Sequence, residues 1–253
     1  MFIFQDKVVL VTGASRGIGA AIARVLGAAG ADLVLHAARN RAVAERVGAE
    51  VALGRSHVVV ADLAEDDAAE RLWRDAMAWR GRIDVLVNNA GIYERAPLDA
   101  EVTAWRQAWR RTLQINLVAP AELCRAAIGH FRTRGGGIVV NVASRASFRG
   151  DGPDYSHYAA SKGGLIAMTR TFARAHAGEG ILFYAVAPGF VRTEMAEDSF
   201  RQGTDEEAVK RDIPIGDIAP PEDVANVVAF LASGLAPHAT GTTVDINGAS
   251  YVR

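Results

Sequence analysis

The chain has 253 residues, half of them hydrophobic, and a formal net charge of −1. This size and composition suit one large α/β domain with a sizeable core, and the near-neutral charge gives no reason to expect a nucleic-acid partner. The single cysteine, Cys124, excludes an intrachain disulfide, and no apolar run reaches the roughly 18 residues of a membrane span. The first segment, MFIFQDKVVLVTG, is interrupted by charge too early for a signal peptide, so we expect a cytoplasmic protein without a membrane partner.

Short apolar runs alternate with helical patterns along the whole chain. The predicted strands are KVVLVTG, DLVLHAA, SHVVVADL, IDVLVNNAG, GGIVVNVAS, ILFYAVAPG and GTTVDING. The predicted helices between them are GIGAAIARVLGAAG, RAVAERVG, EDDAAERLWRDAMAWRG, a long stretch over residues 103–134, YSHYAASKGGLIAMTRTFARAHAG and PPEDVANVVAFLAS. Strands that are apolar throughout and separated by helices are typical of a parallel sheet covered on both faces. We therefore predict a single-domain doubly wound Rossmann fold over residues 1–253, with a seven-stranded parallel sheet, helices on both faces and a ligand beyond the carboxyl ends of the strands.

The region at about 191–218 differs from the rest of the chain because it is polar and mixed in charge. It lies between the sixth predicted strand and the last predicted helix. An insertion of this length beside a ligand site is typical of a mobile segment that covers the site. We predict that it is a lid over the substrate.

Three glycines, Gly13, Gly17 and Gly19, follow the first predicted strand in the stretch TGASRGIG. Glycine allows a tight turn and lets a phosphate approach a helix N-terminus, where free N–H groups and the helix dipole favour anions. The stretch therefore predicts a site for a dinucleotide pyrophosphate, although a glycine-rich turn that binds nothing would look the same. Its spacing, G-x-x-x-G-x-G, differs from the commoner G-x-G-x-x-G fingerprint.

Six motifs together resemble one protein family. They are TGASRGIG, NNAG at 88–91, Asn116 in the long predicted helix, Ser144, YAASK at 158–162 and PGFVRT at 188–193. They occur in the order and at the spacing of the short-chain dehydrogenase/reductase family, and they span essentially the whole chain. The chain resembles in particular the 3-oxoacyl-carrier-protein reductase-like members of this family. The resemblance implies hydride transfer between a nicotinamide cofactor and a carbonyl or secondary alcohol. The sixth strand departs from the family, which often has Arg and Asn where this chain has Leu182 and Tyr184.

The resemblance assigns the cofactor to residues within these motifs. Asp62 would contact the adenine, unless it only caps a helix, and Thr193 would bond the nicotinamide carboxamide. Asn88, Ala90 and Gly91 would let the cofactor pass close to the backbone. The full implied set is Gly13, Ser15, Arg16, Gly17, Ile18, Gly19, Arg39, Asp62, Leu63, Asn89, Ala90, Gly91, Tyr158, Lys162, Pro188, Gly189, Val191 and Thr193.

The second predicted strand, DLVLHAARN, bears on which nicotinamide cofactor is bound. NAD-preferring sites usually carry Asp or Glu at the end of this strand to bond the ribose, but Ala37 occupies the expected position. Arg16 in the glycine stretch and Arg39 just beyond the strand suit the 2′-phosphate of NADP(H). We therefore expect NADP(H), with NAD(H) as the alternative if both arginines are only solvated surface charges.

Tyr158 and Lys162 lie four residues apart on a predicted helix, so both can meet one ligand. A free phenol is a poor acid near neutral pH, and a nearby ammonium is expected to lower its pKa. The resemblance implies that Tyr158 is the general acid/base and that Ser144 supplies a second hydrogen bond to the substrate oxygen. It also implies that Asn116 holds a water on Lys162. Each residue has a structural alternative: a core tyrosine, a surface lysine, a helix-capping serine and a buried amide bonded to the backbone.

The expected substrate contacts surround the catalytic positions. They are Ser144, Arg145, Phe148, Tyr155 and Tyr158. Tyr155 has no lysine four residues later, so we interpret it as a pocket wall, together with Tyr93 and Phe190. Arg145 and Arg149 would meet an anionic substrate or a carrier-protein surface, or else they are ordinary exposed charges. No pair of histidines lies at ligand spacing beside a carboxylate, so we predict no metal site.

The sequence as a whole predicts an NADP-dependent reductase of ketones or 3-oxoacyl groups. A sugar, polyol or steroid dehydrogenase would use the same chemistry on another substrate, and a nucleotide-binding sensor without turnover is the alternative from another class. Family members of this size are commonly tetramers, so we expect a homotetramer or a homodimer. The helical stretch with Trp105 and Trp109, and the helix that carries Tyr158, are the expected packing surfaces.

Overall fold

The computed structural model describes residues 3–51, 54–201 and 203–253. These residues form one sheet of seven strands: β1 (Val8–Val11), β2 (Asp32–Ala37), β3 (Ser56–Val60), β4 (Val85–Asn88), β5 (Gly137–Val142), β6 (Ile181–Pro188) and β7 (Thr243–Ile246). Every neighbouring pair is parallel, in the order β3-β2-β1-β4-β5-β6-β7. The chain reverses direction across the sheet between β1 and β4. The predicted doubly wound fold is therefore confirmed, and its crevice lies at the carboxyl ends of these two strands.

Helices cover both faces of the sheet. In the described residues they are α1 (Gly17–Ala28), α2 (Arg41–Val51), α3 (Ala68–Arg80), α4 (Val102–Leu113), α5 (Ala119–Arg134), α6 (Ala146–Arg149), α7 (Ser156–His176), α8 (Glu194–Arg201), α9 (Glu206–Arg211) and α10 (Pro221–Ala232). Because side chains alternate along a strand, Val9 and Val11 pack with α1 and α10, while Val8 and Leu10 pack with α3 and α5. Among the described helices none has the length and apolar character to span a bilayer.

The long helical stretch predicted over residues 103–134 is present, but it contains a π-helical turn. α4 ends at Leu113, the residues Gln114–Val118 form a π-helical turn, and α5 begins at Ala119. Asn116 lies inside this turn and is fully buried. A π turn holds one more residue than an α turn and is frequent at functional sites, because the extra residue lets a side chain leave the regular helix face.

The unusual sixth strand is accommodated by burial. Tyr184 is fully buried, and its hydroxyl donates a hydrogen bond to the carbonyl oxygen of Ala236 at 2.9 Å. Leu182 lies opposite Ile138 of β5 in the ladder. The departure from the family pattern therefore changes packing in the interior of the domain and not at the carboxyl ends of the strands.

Two short helices, α8 and α9, occupy the region predicted as a lid. Arg192 lies before them and forms ion pairs with Glu206 at 3.3 Å and Asp217 at 3.1 Å. These pairs tie the two ends of the region together. Its role as a lid stays a prediction, although several of its side chains face the site described next.

Candidate active site

A cleft of about 610 Å³ opens at the carboxyl ends of the strands. Every residue of the full implied cofactor set lines it, but Asn88, which was also expected beside the cofactor, does not. Ser144, Arg145, Tyr155 and Tyr158 from the predicted substrate set line it too. The lid region contributes further lining residues: Glu194, Met195, Ala196, Ser199 and Thr204. Five of the six sequence motifs, which are scattered along the chain, therefore converge at the carboxyl edge of the sheet.

The glycine stretch forms the turn between β1 and α1. Gly13 and Gly17 have positive φ values of 64° and 53°, and a Cβ at Gly13 would lie 2.9 Å from the Cα of Ala90. No side chain caps the N-terminus of α1, and its first turn holds no acidic residue. The free N–H groups and the positive end of the helix dipole are thus available to an anion, so the loop fits a pyrophosphate.

The NNAG segment is held against the end of β1. Asn89 donates from its side-chain amide to the carbonyl oxygens of Thr12 at 2.9 Å and Gly13 at 3.2 Å. The Thr12 hydroxyl oxygen accepts hydrogen bonds from the main-chain N–H groups of Asn89 and Ala90, both at 2.9 Å. Asn88 does not line the cleft; it is buried and donates to the Asn141 side chain at 2.9 Å.

The two arginines expected at the adenosine end are each paired with a carboxylate. Arg39 lies 3.1 Å from Asp62, and Arg16 lies 2.9 Å from Glu194 of the lid region. Asp62 does not cap α3, which begins at Ala68; its side chain accepts a hydrogen bond from the main-chain N–H of Ala64 at 3.1 Å. That bond, more than the neighbouring Arg39, lowers the pKa of Asp62.

His36 is a residue of this site that we did not predict. It is buried in β2 and lines the cleft. Its Nδ1 accepts a hydrogen bond from the main-chain N–H of Gly13 at 3.1 Å, and its Nε2 lies 2.8 Å from the carbonyl oxygen of Ala61. Burial lowers its pKa, so the ring is neutral with the proton on Nε2. The only signal in the sequence was one polar residue inside an otherwise apolar strand.

Tyr158, Ser144 and Lys162 line the same cleft as the glycine loop. Tyr158 is in the first turn of α7 and Ser144 follows β5. The Lys162 ammonium donates to the carbonyl oxygen of Val142 at 2.8 Å and lies 5.9 Å from the centre of the Tyr158 ring. Ser144 also accepts a hydrogen bond from the N–H of Ala146 at 3.1 Å, so its side chain is held at the start of α6 and lines the cleft.

Burial controls the ionisation of this group. It raises the pKa of Tyr158 to about 12, against the opposing effect of a hydrogen bond with Ser144. It lowers the pKa of Lys162 to about 8. The expected lowering of the tyrosine pKa is therefore not seen, because desolvation of the phenolate outweighs the hydrogen bond from Ser144, and the negative charge of Asp151 raises the pKa further.

Asn116 lies behind the cleft and does not line it. Its side chain accepts from the N–H of Ile92 at 2.9 Å and donates to the Ile92 carbonyl oxygen at 3.0 Å. A Cβ placed on Gly91 would lie 3.3 Å from both the Asn116 Oδ1 and the Lys162 Nζ. The contacts match the alternative of an amide bonded to the backbone, and the predicted water between Asn116 and Lys162 stays a prediction.

Aromatic side chains form one wall beside the catalytic tyrosine. The rings of Tyr93 and Tyr155 stack at 4.1 Å and 3°, and Tyr93 meets Tyr158 edge to face at 4.8 Å and 85°. Phe148 was expected in this wall but lies outside the cleft, where the Arg253 guanidinium is 4.0 Å from its ring centre. The turn of α6 directs Phe148 towards the C-terminal segment.

Other chemically reactive groups lie away from the cleft. Cys124 on α5 is fully buried, the Asn88 side-chain amide lies 3.4 Å from its sulfur, and burial raises its pKa to about 12. Over the described ranges, histidine, cysteine and acidic side chains form no group of three or more that could hold a metal ion.

Comparison with known proteins places the chain in a family. A solved structure from Brucella melitensis, described as a short-chain dehydrogenase/reductase of the glucose/ribitol dehydrogenase type, matches it with a TM-score of 0.89 and 32% identity over 100% of this chain and 99% of that one. The profile of a family described as Enoyl-(Acyl carrier protein) reductase matches residues 13–249. The chain belongs to the short-chain dehydrogenase/reductase family.

Two relatives of this short-chain dehydrogenase/reductase are named for their activities. The 3beta-hydroxysteroid dehydrogenase 1 of Eggerthella lenta is 37% identical over 96% of this chain and 93% of its own length. A 3-oxoacyl-[acyl-carrier-protein] reductase of Synechocystis is 35% identical over 96% of this chain and 96% of its own length. The protein is thus an oxidoreductase of a family that uses nicotinamide cofactors.

Proposed function

We propose that this protein is an NADP(H)-dependent reductase of ketones, with Tyr158 as the proton donor. The observation that carries the proposal is the convergence of Tyr158, Ser144 and Lys162 in one cleft with the uncapped N-terminus of α1. When bound, the nicotinamide supplies the hydride. The protein then has to bind the carbonyl oxygen, stabilise its developing charge and provide a proton.

Tyr158 and Ser144 are suited to hold that oxygen. The two hydroxyl groups are close enough to interact, so a carbonyl oxygen between them would accept two hydrogen bonds. A tyrosine with a pKa of about 12 is fully protonated at neutral pH, which is the form that donates a proton during reduction. The buried Lys162 ammonium stabilises the phenolate that remains. The reverse reaction needs the phenolate as a base, so we expect the rate of alcohol oxidation to rise with pH.

The preference for NADP(H) is supported by the composition of the adenosine end. Ala37 ends β2 where an NAD-preferring site carries a carboxylate, and Arg39 and Arg16 flank that position. Both guanidiniums are exposed and paired only with exposed or partly exposed carboxylates, pairs that are weak and that a phosphate can displace.

The wider setting of the reaction is also part of the proposal. The relatives named above act on a 3-hydroxysteroid and on a 3-oxoacyl group, which favours a ketone next to an apolar body. We propose that the protein works in the cytoplasm as a homo-oligomer, a tetramer or a dimer. Trp105 and Trp109 on α4 support this assembly, because their rings pack at 5.2 Å and are only half-buried within one subunit.

The decisive experiment compares the wild type with Tyr158→Phe. NADPH and NADH binding is measured by fluorescence titration, and turnover is measured from the absorbance of the reduced nicotinamide with a panel of ketones. Loss of the proton donor should lower kcat by about 10²–10⁴-fold while cofactor Kd changes less than about threefold. Tyr251→Phe, which removes a hydroxyl outside the cleft, is the control. Retained turnover in Tyr158→Phe would remove the acid role, and failure of the wild type to bind either cofactor would remove the proposed function.

A further inference from the structure

Two guanidinium groups lie directly beside the catalytic serine. Arg145 follows Ser144 in the chain, and Arg149 is one helical turn later, where its N–H bonds the carbonyl oxygen of Arg145 at 3.0 Å. Both line the cleft. Arg145 is only 8% exposed, so it is not the ordinary surface charge that the sequence allowed. Charged side chains are rarely buried to this degree without a partner.

The buried guanidinium is incompletely satisfied. In the described part of the chain its side chain makes one hydrogen bond, from Nη1 to the Ser250 hydroxyl, although a guanidinium carries five N–H donors. The ring of Phe190 lies 5.2 Å from its central carbon. Burial, followed by the charge of Arg149, lowers the pKa of Arg145. The remaining donors are therefore held in a site where a negatively charged acceptor would be strongly stabilised.

One carboxylate now lies between the two arginines. Asp212, the residue after α9 in the lid region, is 3.0 Å from Arg149 and 3.9 Å from Arg145. Its side chain is 57% exposed, so the pair with Arg149 is largely solvated and weak. The other carboxylate nearby, Asp151, instead accepts from the N–H of Gly152 at 2.8 Å and from the Tyr93 hydroxyl at 3.5 Å.

We propose that the substrate of this enzyme carries a carboxylate, which binds Arg145 and Arg149 in place of Asp212 while its ketone faces Ser144 and Tyr158. The inference deepens the proposed function and rests on it. The burial of Arg145 favours a small anion over the surface of a carrier protein, because a macromolecular surface does not reach a side chain 8% exposed. The stacked Tyr93 and Tyr155 favour a flat, apolar body between the two polar groups.

The test uses pairs of ketones that differ only in charge. With saturating NADPH, 4-acetylbenzoate, 3-acetylbenzoate and 4-oxocyclohexanecarboxylate are each compared with the corresponding primary amide. Charge-assisted hydrogen bonds should give at least one acid a kcat/KM about 10–100-fold above its amide. Arg149→Gln should reduce that ratio to about threefold or less, and Asp212→Asn should lower the KM of the acid. Arg174→Gln, an exposed arginine of α7 outside the cleft, should leave the ratio unchanged.

A binding measurement separates this inference from the proposed function. Calorimetric titration of the enzyme–NADPH complex with 4-acetylbenzoate should show binding that Arg149→Gln weakens by about tenfold or more. Ketone reduction without preference for any acid, or an equal effect of Arg149→Gln on acid and amide, would overturn the carboxylate site and leave the reductase standing. If no ketone is reduced, the proposed function fails, and the carboxylate site fails with it unless the titration shows the Arg149-dependent binding.

Discussion

Arg39 is the residue on which the choice of cofactor depends most directly. Its side chain is 77% exposed and its ion pair with Asp62 is 3.1 Å long, so the pair itself contributes little to stability. A 2′-phosphate carries more charge than a carboxylate and would gain more from the guanidinium.

We expect Arg39→Ala to raise the Kd of NADPH by about 10–100-fold and that of NADH by less than about threefold, since charge-assisted hydrogen bonds contribute roughly 1.5–3 kcal/mol. Fluorescence titration of both cofactors measures the difference. Arg24→Ala removes a half-exposed guanidinium, paired with Glu50 outside the cleft, and should change neither Kd. An equal effect of Arg39→Ala on the two cofactors would remove the phosphate interpretation.

Single residues also show where prediction from sequence ends. The spacing of Tyr158 and Lys162 was enough to bring them into one site, because a helix places residues four apart on one side. It did not reveal that the pKa of Tyr158 is raised above its ordinary value, because that shift depends on how far the folded chain buries the phenol. Phe148 was misplaced for a related reason: its neighbour in space is Arg253, which is far from it in the sequence.

At the scale of elements, His36 joins the ends of three neighbouring strands. It lies in β2, accepts from Gly13 after β1 and donates to Ala61 after β3, at 3.1 Å and 2.8 Å. The contacts fix the start of the glycine loop relative to the sheet. The Gly13 contact requires the neutral ring, because a protonated imidazole has no acceptor for the Gly13 N–H, whereas the bond to Ala61 needs only the proton on Nε2.

His36→Ala should therefore raise the Kd of NADPH and lower the free energy of unfolding by about 1–3 kcal/mol, because two buried polar groups lose a partner. His36→Gln keeps a donor and an acceptor but cannot titrate. In the wild type the folded pKa lies below the ordinary 6.5, so the stability associated with the neutral ring is complete above pH 6.5 and declines as the pH falls from there towards the folded value.

Urea unfolding measured between pH 5 and pH 8 should show this decline in the wild type and a smaller one in His36→Gln. His238→Ala, which removes an exposed histidine outside the cleft, serves as the control for substitution itself. Parallel pH profiles for the wild type and His36→Gln would show that His36 does not contribute to the pH dependence.

The helices and strands themselves were largely predictable. Apolar strands bounded by glycine and helices bounded by acids or proline specify parallel layers, and the observed sheet follows them. The π turn at Gln114–Val118 was not predicted, because no glycine or proline in QINLV marks the extra residue. Within the turn, Asn116 forms two hydrogen bonds with Ile92. The two residues are 24 positions apart, so the sequence pattern does not show that they are in contact.

For the whole molecule, the order of the strands decides where distant motifs meet. The reversal between β1 and β4 brings the glycine loop, the NNAG segment and the end of β5 to one edge. This much followed from the alternation of elements along the chain. The partnership of Arg145 with Ser250 and Asp212 did not follow, since it joins the catalytic edge to the lid region and the C-terminal segment.

Because Cys124 is buried, the rate at which its thiol is labelled measures how often the domain opens. A thiol that is fully buried with a pKa of about 12 reacts with a thiol reagent only when the domain opens, and no second cysteine competes for the label. If that opening is global, NADPH at 100 times its Kd should slow labelling by about 100-fold, which corresponds to about 2.7 kcal/mol of added stability. Mass spectrometry of timed samples would follow it, with Cys124→Ser as the unlabelled control. Rapid labelling at a rate that NADPH does not change would contradict the buried position. Slow labelling that NADPH slows further would measure cofactor binding without any substrate or turnover.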